Sequence, residues 1–308
     1  MTVEELNEAA AEGRIDEVIR VAEARQVKAL SKIADTICEN DETRLVLVSG
    51  GSAAGKTTTA KRLCTQLRVD DRFAMHLSTD DYFVGDARNP RDENGNLDYE
   101  HVDCVDIEPL ANDLNALFRG ETVPRRSFDF VNHKPAYSGE FVSLPKGGVI
   151  VLEGIHALNP RLSEKVDEAA GFKVFVEPRP SLDLFAGMTP TSTDSRFLRR
   201  LVRDNQFRKL SPSATLELWP KVLEGERRWI DPFRGDADAT FDSYLVYELA
   251  VLKPYVGGLL ERARLELGET RQIMNMIRLI SAVDAVSPNA VPGDSILRET
   301  IGGSQLEY

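Results

Sequence analysis

Gly50 and Gly55 bracket Gly51, Ser52, Ala53 and Ala54, and Lys56, Thr57 and Thr58 follow at once. The spacing is GxxxxGK[ST], with an apolar run before it (LVLVS, 45–49) and a helical pattern after it (56–68). A strand before and a helix after is the setting that gives this motif its meaning. Glycines let the backbone wrap closely, so successive N–H groups point into one concavity and meet the positive end of the next helix dipole. A triphosphate's β and γ groups fit there. Lys56 would neutralise their charge and the Thr57 hydroxyl would ligate Mg2+. The expected ligand is therefore a magnesium nucleoside triphosphate, bound by residues 50–58.

Acids and arginines elsewhere suit the chemistry such a ligand undergoes. The stretch STDDYF (78–83) closes a second apolar run, and consecutive strand residues face opposite ways, so one of Asp80 and Asp81 should look into the cleft. A carboxylate there would orient an acceptor hydroxyl, take its proton and help hold the metal. Glu153, after four apolar residues in VIVLE, is the expected partner of the magnesium near Thr57. In DSRFLRRLVRDNQFRK (194–209), helical geometry puts Arg196, Arg199, Arg200 and Arg203 on one face, with Leu198, Leu201 and Val202 opposite. Like charges at these spacings repel by roughly a few tenths of a kcal/mol per pair, so something anionic should meet them. An arginine-bearing lid over a transferring phosphoryl group would supply it; a basic face neutralised by acids elsewhere is the other reading. His76, His101, His133 and His156 form no HxxxH or HExxH pair, which argues against a histidine metal site.

The elements that must position these groups follow from periodicity. Strands are expected at 45–49, 73–78, 149–153, 173–177 and 243–248, with helices at 56–68, 106–119, 194–209, 213–229 and 254–266. This alternation predicts an α/β, doubly wound, five-stranded, mainly parallel sheet. A helical extension over 1–42 precedes the main domain (43–266), and a helical tail over 267–308 follows it. Residues 84–105 are polar and rich in turn formers, too long for a plain connection, so they should cover an acceptor site, and 190–212 should form the lid.

The 308 residues carry a net charge of −12, which disfavours nucleic acid and anionic membranes as partners. Three scattered cysteines, no secretory leader and no run of about 18 apolar residues fit a soluble cytoplasmic protein. A homo-oligomer is compatible with all of this.

Taken in order, SGGSAAGKTT, STDDYF, YEHVDCVD, FDFVNH, LEGIHALNP and TDSRFLRRLVRD together resemble the uridine kinase/phosphoribulokinase-like family of P-loop kinases. The likeness is nearest to a bacterial branch whose longer members carry a threonyl-tRNA-synthetase-like region. The resemblance implies a P-loop NTPase fold, ATP with Mg2+, and a small-molecule acceptor with a free hydroxyl. It implies phosphate and metal roles for Lys56 and Thr57, a base at Asp80, which also helps hold the metal, and a metal-associated acid at Glu153. Glu100 stands where uridine kinases use an aspartate on ribose hydroxyls, and His133 falls on their matching histidine. Tyr82, His101 and Phe128 line the implied acceptor site, Phe128 replacing a tyrosine that contacts the pyrimidine. Arg196 and Arg208 are implied lid or substrate arginines, Arg196 and Arg203 being catalytic candidates and Arg199 and Arg200 nucleotide-binding ones. An ATP-dependent kinase for uridine, or for another polyol such as inositol or a sugar, is the leading expectation. A P-loop hydrolase or switch is the alternative from another class, although no NKxD guanine-reading motif is present.

Overall fold

The computed structural model describes residues 1–130, 132–167, 171–184 and 189–307. The chain begins with α1 (Val3–Ala11), α2 (Ile15–Cys38), β1 (Leu45–Ser49), α3 (Lys56–Val69) and β2 (Ala74–Ser78). Then come α4 (Ile107–Phe118), a hairpin of β3 (Thr122–Asp129) and β4 (Lys134–Ser143), β5 (Val149–Glu153), short α5 (Pro160–Ser163) and β6 (Gly171–Glu177). The last part holds α6 (Ser192–Phe207), α7 (Pro212–Trp229), β7 (Ala239–Asp242), α8 (Glu248–Leu267), α9 (Arg271–Ser281) and α10 (Arg298–Ile301).

Among the described residues the main sheet has five strands in the order β2-β5-β1-β6-β7, and every pairing is parallel. Parallel strands need crossovers, and the crossover helices cover both faces, which is why β1 and β5 are buried at every position. The two-residue period divides their side chains cleanly. Val46, Val48, Val149 and Val151 meet Leu30 and Ile37 of α2 and Leu63 and Leu67 of α3. Leu45, Leu47, Ile150 and Leu152 meet Leu110, Leu114 and Leu117 of α4. Each such side chain contributes about 1.5–3 kcal/mol relative to exposure. A third cluster beside the sheet joins α6, α7, α8 and α9 to Val3 and Leu6 of α1 and to Leu297 and Ile301 at the other end of the chain. Residues near both ends of the chain thus share this helical cluster.

Two elements differ from the sequence expectation. The stretch SYLVYE (243–248) is not the last strand: β7 lies just before it, and α8 starts at Glu248 rather than near 254. Leu245 and Tyr247 are apolar because they are wholly buried in the helical cluster, not because they pair in a sheet. Pro254 sits inside α8, where its missing N–H frees the carbonyl of Ala250; the Val286 N–H fills that vacancy at 3.0 Å. The β3–β4 hairpin is a further departure, since β4 is mostly exposed, β3 only half-buried, and neither carries an apolar alternation. No helix among the described residues is long and apolar enough to cross a membrane.

Candidate functional site

Chain geometry at the end of β1 explains its glycines. At Gly50, φ is +155°, and a Cβ would lie 2.2 Å from the Val176 carbonyl oxygen of β6. Gly55, at φ +91°, caps the start of α3. Between them Ala53 holds a left-handed φ of 59°, a local strain of the kind stored at ligand-gripping turns. Lys56 folds back so that its Nζ donates to the Gly51 carbonyl at 3.1 Å. Residues 50–58 thus form a turn opening onto the N-terminus of a 14-residue helix, as an anion cradle requires.

Strand register brings the acids to this turn. Glu153 pairs with Val48 on one side and with Ser78 on the other, so the ends of β1, β2 and β5 meet at one carboxylate. The Thr57 hydroxyl donates to Glu153 Oε1 at 3.0 Å and the Ser78 hydroxyl donates to the same oxygen at 2.8 Å. His76 Nε2 stands 3.8 Å away, within ion-pair range but beyond hydrogen-bond reach. Burial pushes Glu153 up, but His76, Lys56 and Ser78 outweigh it and hold the carboxyl below its ordinary range. An anionic oxygen beside a threonine hydroxyl suits magnesium, which takes few protein ligands and keeps water and phosphate for the rest. Among the described residues no group of three or more His, Cys, Asp or Glu is arranged as a metal cage.

Asp80 and Asp81 do not lie on the strand, so strand alternation does not separate them: Thr79–Tyr82 is a single 3-10 turn capped by the Ser78 hydroxyl. Asp80 lies in the field of Glu153, Lys56, Arg208 and Arg203, and Asp81 in that of Asp80 and the same Glu153, opposed by Arg125 and Lys61. Burial first, then the Glu153 charge, raise Asp80 to about 6. Burial and the neighbouring Asp80 raise Asp81 to about 7.

The arginines of α6 meet anions, but those anions belong to the chain. Arg196 binds Glu226 of α7 through both terminal nitrogens, at 2.5 and 2.8 Å, and Glu226 also accepts from the Ser52 N–H at 3.0 Å. Arg199, 1% exposed, bonds to Glu248 and to the Ser243 carbonyl, with the Ala54 carbonyl 3.5 Å away. Arg200 donates to the Ser52 hydroxyl at 2.7 Å and to Asp204 at 3.1 Å. Arg203 shares Asp204, and Arg208 reaches it at 3.7 Å. The expected four-arginine lid face is thus corrected. Arg196 and Arg199 are locked in buried ion pairs beside the turn, because an uncompensated guanidinium inside the protein would be costly. Arg203 and Arg208 both lie in the field of Asp80, although each also reaches Asp204. The Arg203 charge and burial lower Arg208 to about 10, which leaves it cationic at neutral pH.

The remaining acceptor candidates separate into two groups. Glu100 packs against α7 so closely that a Cβ on Gly225 would lie 2.2 Å from its own Cβ. Burial raises Glu100 to about 7, against the pull of Arg200 and Lys56. His101 stacks edge-on against Trp229 at 4.4 Å, and its Nδ1 accepts from the Asp103 N–H. Phe128 lies edge-to-face with Phe83 and Phe130, and Arg208 sits 5.3 Å over the Phe130 ring. Tyr82, by contrast, turns into the core: it is 6% exposed and donates its hydroxyl to Asp113 at 3.1 Å. A buried phenol needs such a partner, and Asp113 on α4 supplies it. His133 is exposed on the hairpin at φ 49°, 3.7 Å from Asp86 and stacked near Tyr99. The polar segment 84–105 closes at its neck through Val84 N–H to Cys104 O and Asp106 N–H to Tyr82 O, and Lys221 ties it to α7 through Asp92.

Sequence reading missed Glu226, Glu248 and Asp204. Asp204 is four residues beyond Arg200 on the same helix, a spacing that signals an ion pair. Glu226 and Glu248 are far from their partners in sequence and leave no local trace.

Residues 45–250 match the model of the phosphoribulokinase/uridine kinase family. The uridine kinase of Lactobacillus helveticus (strain DPC 4571) is 27% identical over 209 residues, covering 64% of this chain and 90% of that protein. That of Deinococcus deserti is 32% identical over 192 residues, covering 62% and 83%. A solved structure from Silicibacter sp. TM1040, described as a candidate fructose transport system kinase, superposes with a TM-score of 0.50 at 19% identity. It covers 68% of this chain and 98% of that one, a likeness of fold alone. With the glycine turn, the all-parallel sheet and the match over 45–250 in agreement, the chain belongs to the phosphoribulokinase/uridine kinase family of P-loop kinases.

Proposed function

We propose that the chain transfers the γ-phosphoryl group of ATP to a hydroxyl of a small molecule, in the manner of a uridine kinase. The observation that carries this reading is the position of Asp80, in the field of Lys56, Arg203 and Arg208 and beside the Glu153–Thr57 pair. In that place Asp80 accepts the hydroxyl proton while the acceptor oxygen bonds to the γ-phosphorus and the bond to the β–γ bridging oxygen breaks, releasing ADP. Lys56 and the turn's N–H groups grip the phosphates, and Arg203 and Arg208 stabilise charge on the transferring group. Thr57 and Glu153 would hold the magnesium, with Asp80 beside them; bound there, the ion neutralises charge shared by the β and γ oxygens. Arg196 acts indirectly, through its Glu226 pair, by fixing the Ser52 N–H. Glu100, His101 and the Phe83–Phe128–Phe130 group form the acceptor side, with His133 at its outer rim.

A pyrimidine nucleoside is the first acceptor to test. Phe128 favours a second, a non-nucleoside polyol or sugar such as inositol: it offers hydrocarbon where the resemblance places a tyrosine hydroxyl, a loss of about 1–3 kcal/mol in a polar readout. The test is ADP release with uridine, cytidine, inositols, pentoses and sugar phosphates, beside an acceptor-free control. Acceptor-dependent release supports the kinase reading, and the best acceptor decides between nucleoside and polyol. Turnover without any acceptor would favour a hydrolase.

A further inference from the structure

The end of α7 and the loop after β5 meet under the polar segment 84–105. Gly225 and Trp229, four residues apart in sequence, lie on one face of α7. An added Cβ on Gly225 would lie 2.2 Å from the Glu100 Cβ, and Trp229 meets the His101 ring at 4.4 Å. His156, three residues beyond Glu153, is 1% exposed, and its ring lies within reach of the Glu100 and Trp229 backbones. Among the described residues neither of its ring nitrogens has a hydrogen-bond partner. Burial first, then His101 and Lys56, hold it down at about 4, against the pull of those two backbones. The ring is therefore neutral at neutral pH, with one N–H to donate. A backbone group that favours imidazolium is a carbonyl, so two carbonyls, one from Glu100 and one from Trp229, compete for one proton.

A packed apolar side chain would fill this place without leaving a buried nitrogen unpaired. We infer that His156 is a positioning residue for the acceptor: by donating to the Glu100 carbonyl it seats Glu100 and His101 over the acceptor site. The inference rests on the kinase reading above and adds a residue that acts through Glu100 rather than on the substrate. Donation to Trp229 leaves the segment resting on its α7 contacts alone. Donation to Glu100 ties it also to the strand end that carries Glu153. An acceptor gripped by Glu100 favours the second arrangement, since both hold the same residue in place.

Steady-state kinetics with ATP and uridine, or myo-inositol where uridine is not turned over, would compare the wild type with His156→Leu, His156→Asn and His156→Gln. The amide of His156→Asn falls near the Nδ1 position and that of His156→Gln near Nε2. His156→Leu should raise the acceptor KM about tenfold, leave the ATP KM within about twofold and keep the wild-type melting temperature. One of the two amide variants, the one whose N–H reaches the Glu100 carbonyl, should bring the acceptor KM back to within about threefold of wild type. Should His156→Leu fail to fold, the difference between His156→Asn and His156→Gln decides. An unchanged acceptor KM, equal shifts in both KM values, or amide variants alike in acceptor KM would overturn the inference while the kinase reading stands. Wild-type protein that releases no acceptor-dependent ADP with either probe overturns the kinase reading itself, and this inference with it.

Discussion

Glu226→Gln isolates what the Arg196 pair does. Both side chains are less than a tenth exposed, at 8% and 9%, and the guanidinium lies on Gly51, where a Cβ would fall 1.7 Å from its Nη1. Glutamine keeps the shape and leaves an oxygen for the Ser52 N–H, so the change removes the charge and little else. Breaking a buried pair from one side costs about 3–5 kcal/mol, since the partner stays buried and uncompensated. Because the hydrogen bonds are partly retained, the low end, about 3 kcal/mol, is expected. At about 2–4 °C per kcal/mol the melting temperature should drop by about 6–12 °C. Urea unfolding followed by circular dichroism, with the slope unchanged, measures it directly. The double variant Arg196→Met/Glu226→Leu should recover to within about 1 kcal/mol of wild type, because well-packed apolar replacements of buried pairs are often neutral. A Glu226→Gln protein as stable as wild type, or a double variant no better than the single, would refute the reasoning.

Other residues give sharper functional readouts. Because Asp80 must be ionised to accept a proton and titrates near 6, kcat/KM should rise through about pH 6 and fall about tenfold per unit below it; a flat profile from pH 5 to 8 would exclude Asp80 as the base. Asp81 has its folded-state value raised to about 7, so its ionised form penalises folding above that pH, and the penalty disappears below the unfolded value near 4. Asp81→Asn should therefore be more stable than wild type at pH 8, with the gain shrinking as pH falls through 7; a gain independent of pH would contradict this. Gly225→Ala adds a Cβ 2.2 Å from that of Glu100 and should raise the acceptor KM about tenfold with the ATP KM unchanged. Equal changes in both constants would show that Glu100 does not serve the acceptor side.

The parts of this molecule written in local pattern were legible from its sequence. The LVLVS strand, the glycine turn and the VIVLE strand each carry their own signal; register brings Ser78 to Glu153, and the glycine turn that starts α3 brings Thr57 there. SYLVYE misled because an apolar run of that length reads the same whether a sheet or a helical cluster buries it. The helix expected at 254–266 begins six residues earlier, at Glu248, and runs through Pro254, where the Val286 N–H takes the Ala250 carbonyl that the proline leaves free. The arginine face was correctly seen to demand anions. Its partners Glu226 and Glu248 come from other helices, so local pattern does not show that Arg196 and Arg199, read as lid and nucleotide-binding arginines, pair within the chain beside the turn. The resemblance implies Tyr82 at the acceptor site, yet its hydroxyl turns onto buried Asp113.

The central claim is that a carboxylate opposite the phosphate cradle readies a small molecule's hydroxyl for the γ-phosphoryl group. Phosphorus NMR of wild type and Asp80→Asn, each with magnesium, ATP and the best acceptor, follows that group directly. Wild type should move it into a phosphomonoester of the acceptor, one for each ADP formed, while Asp80→Asn binds ATP yet slows transfer by about 10²–10⁴-fold. Inorganic phosphate as the wild-type product, or transfer undiminished in Asp80→Asn, would contradict it.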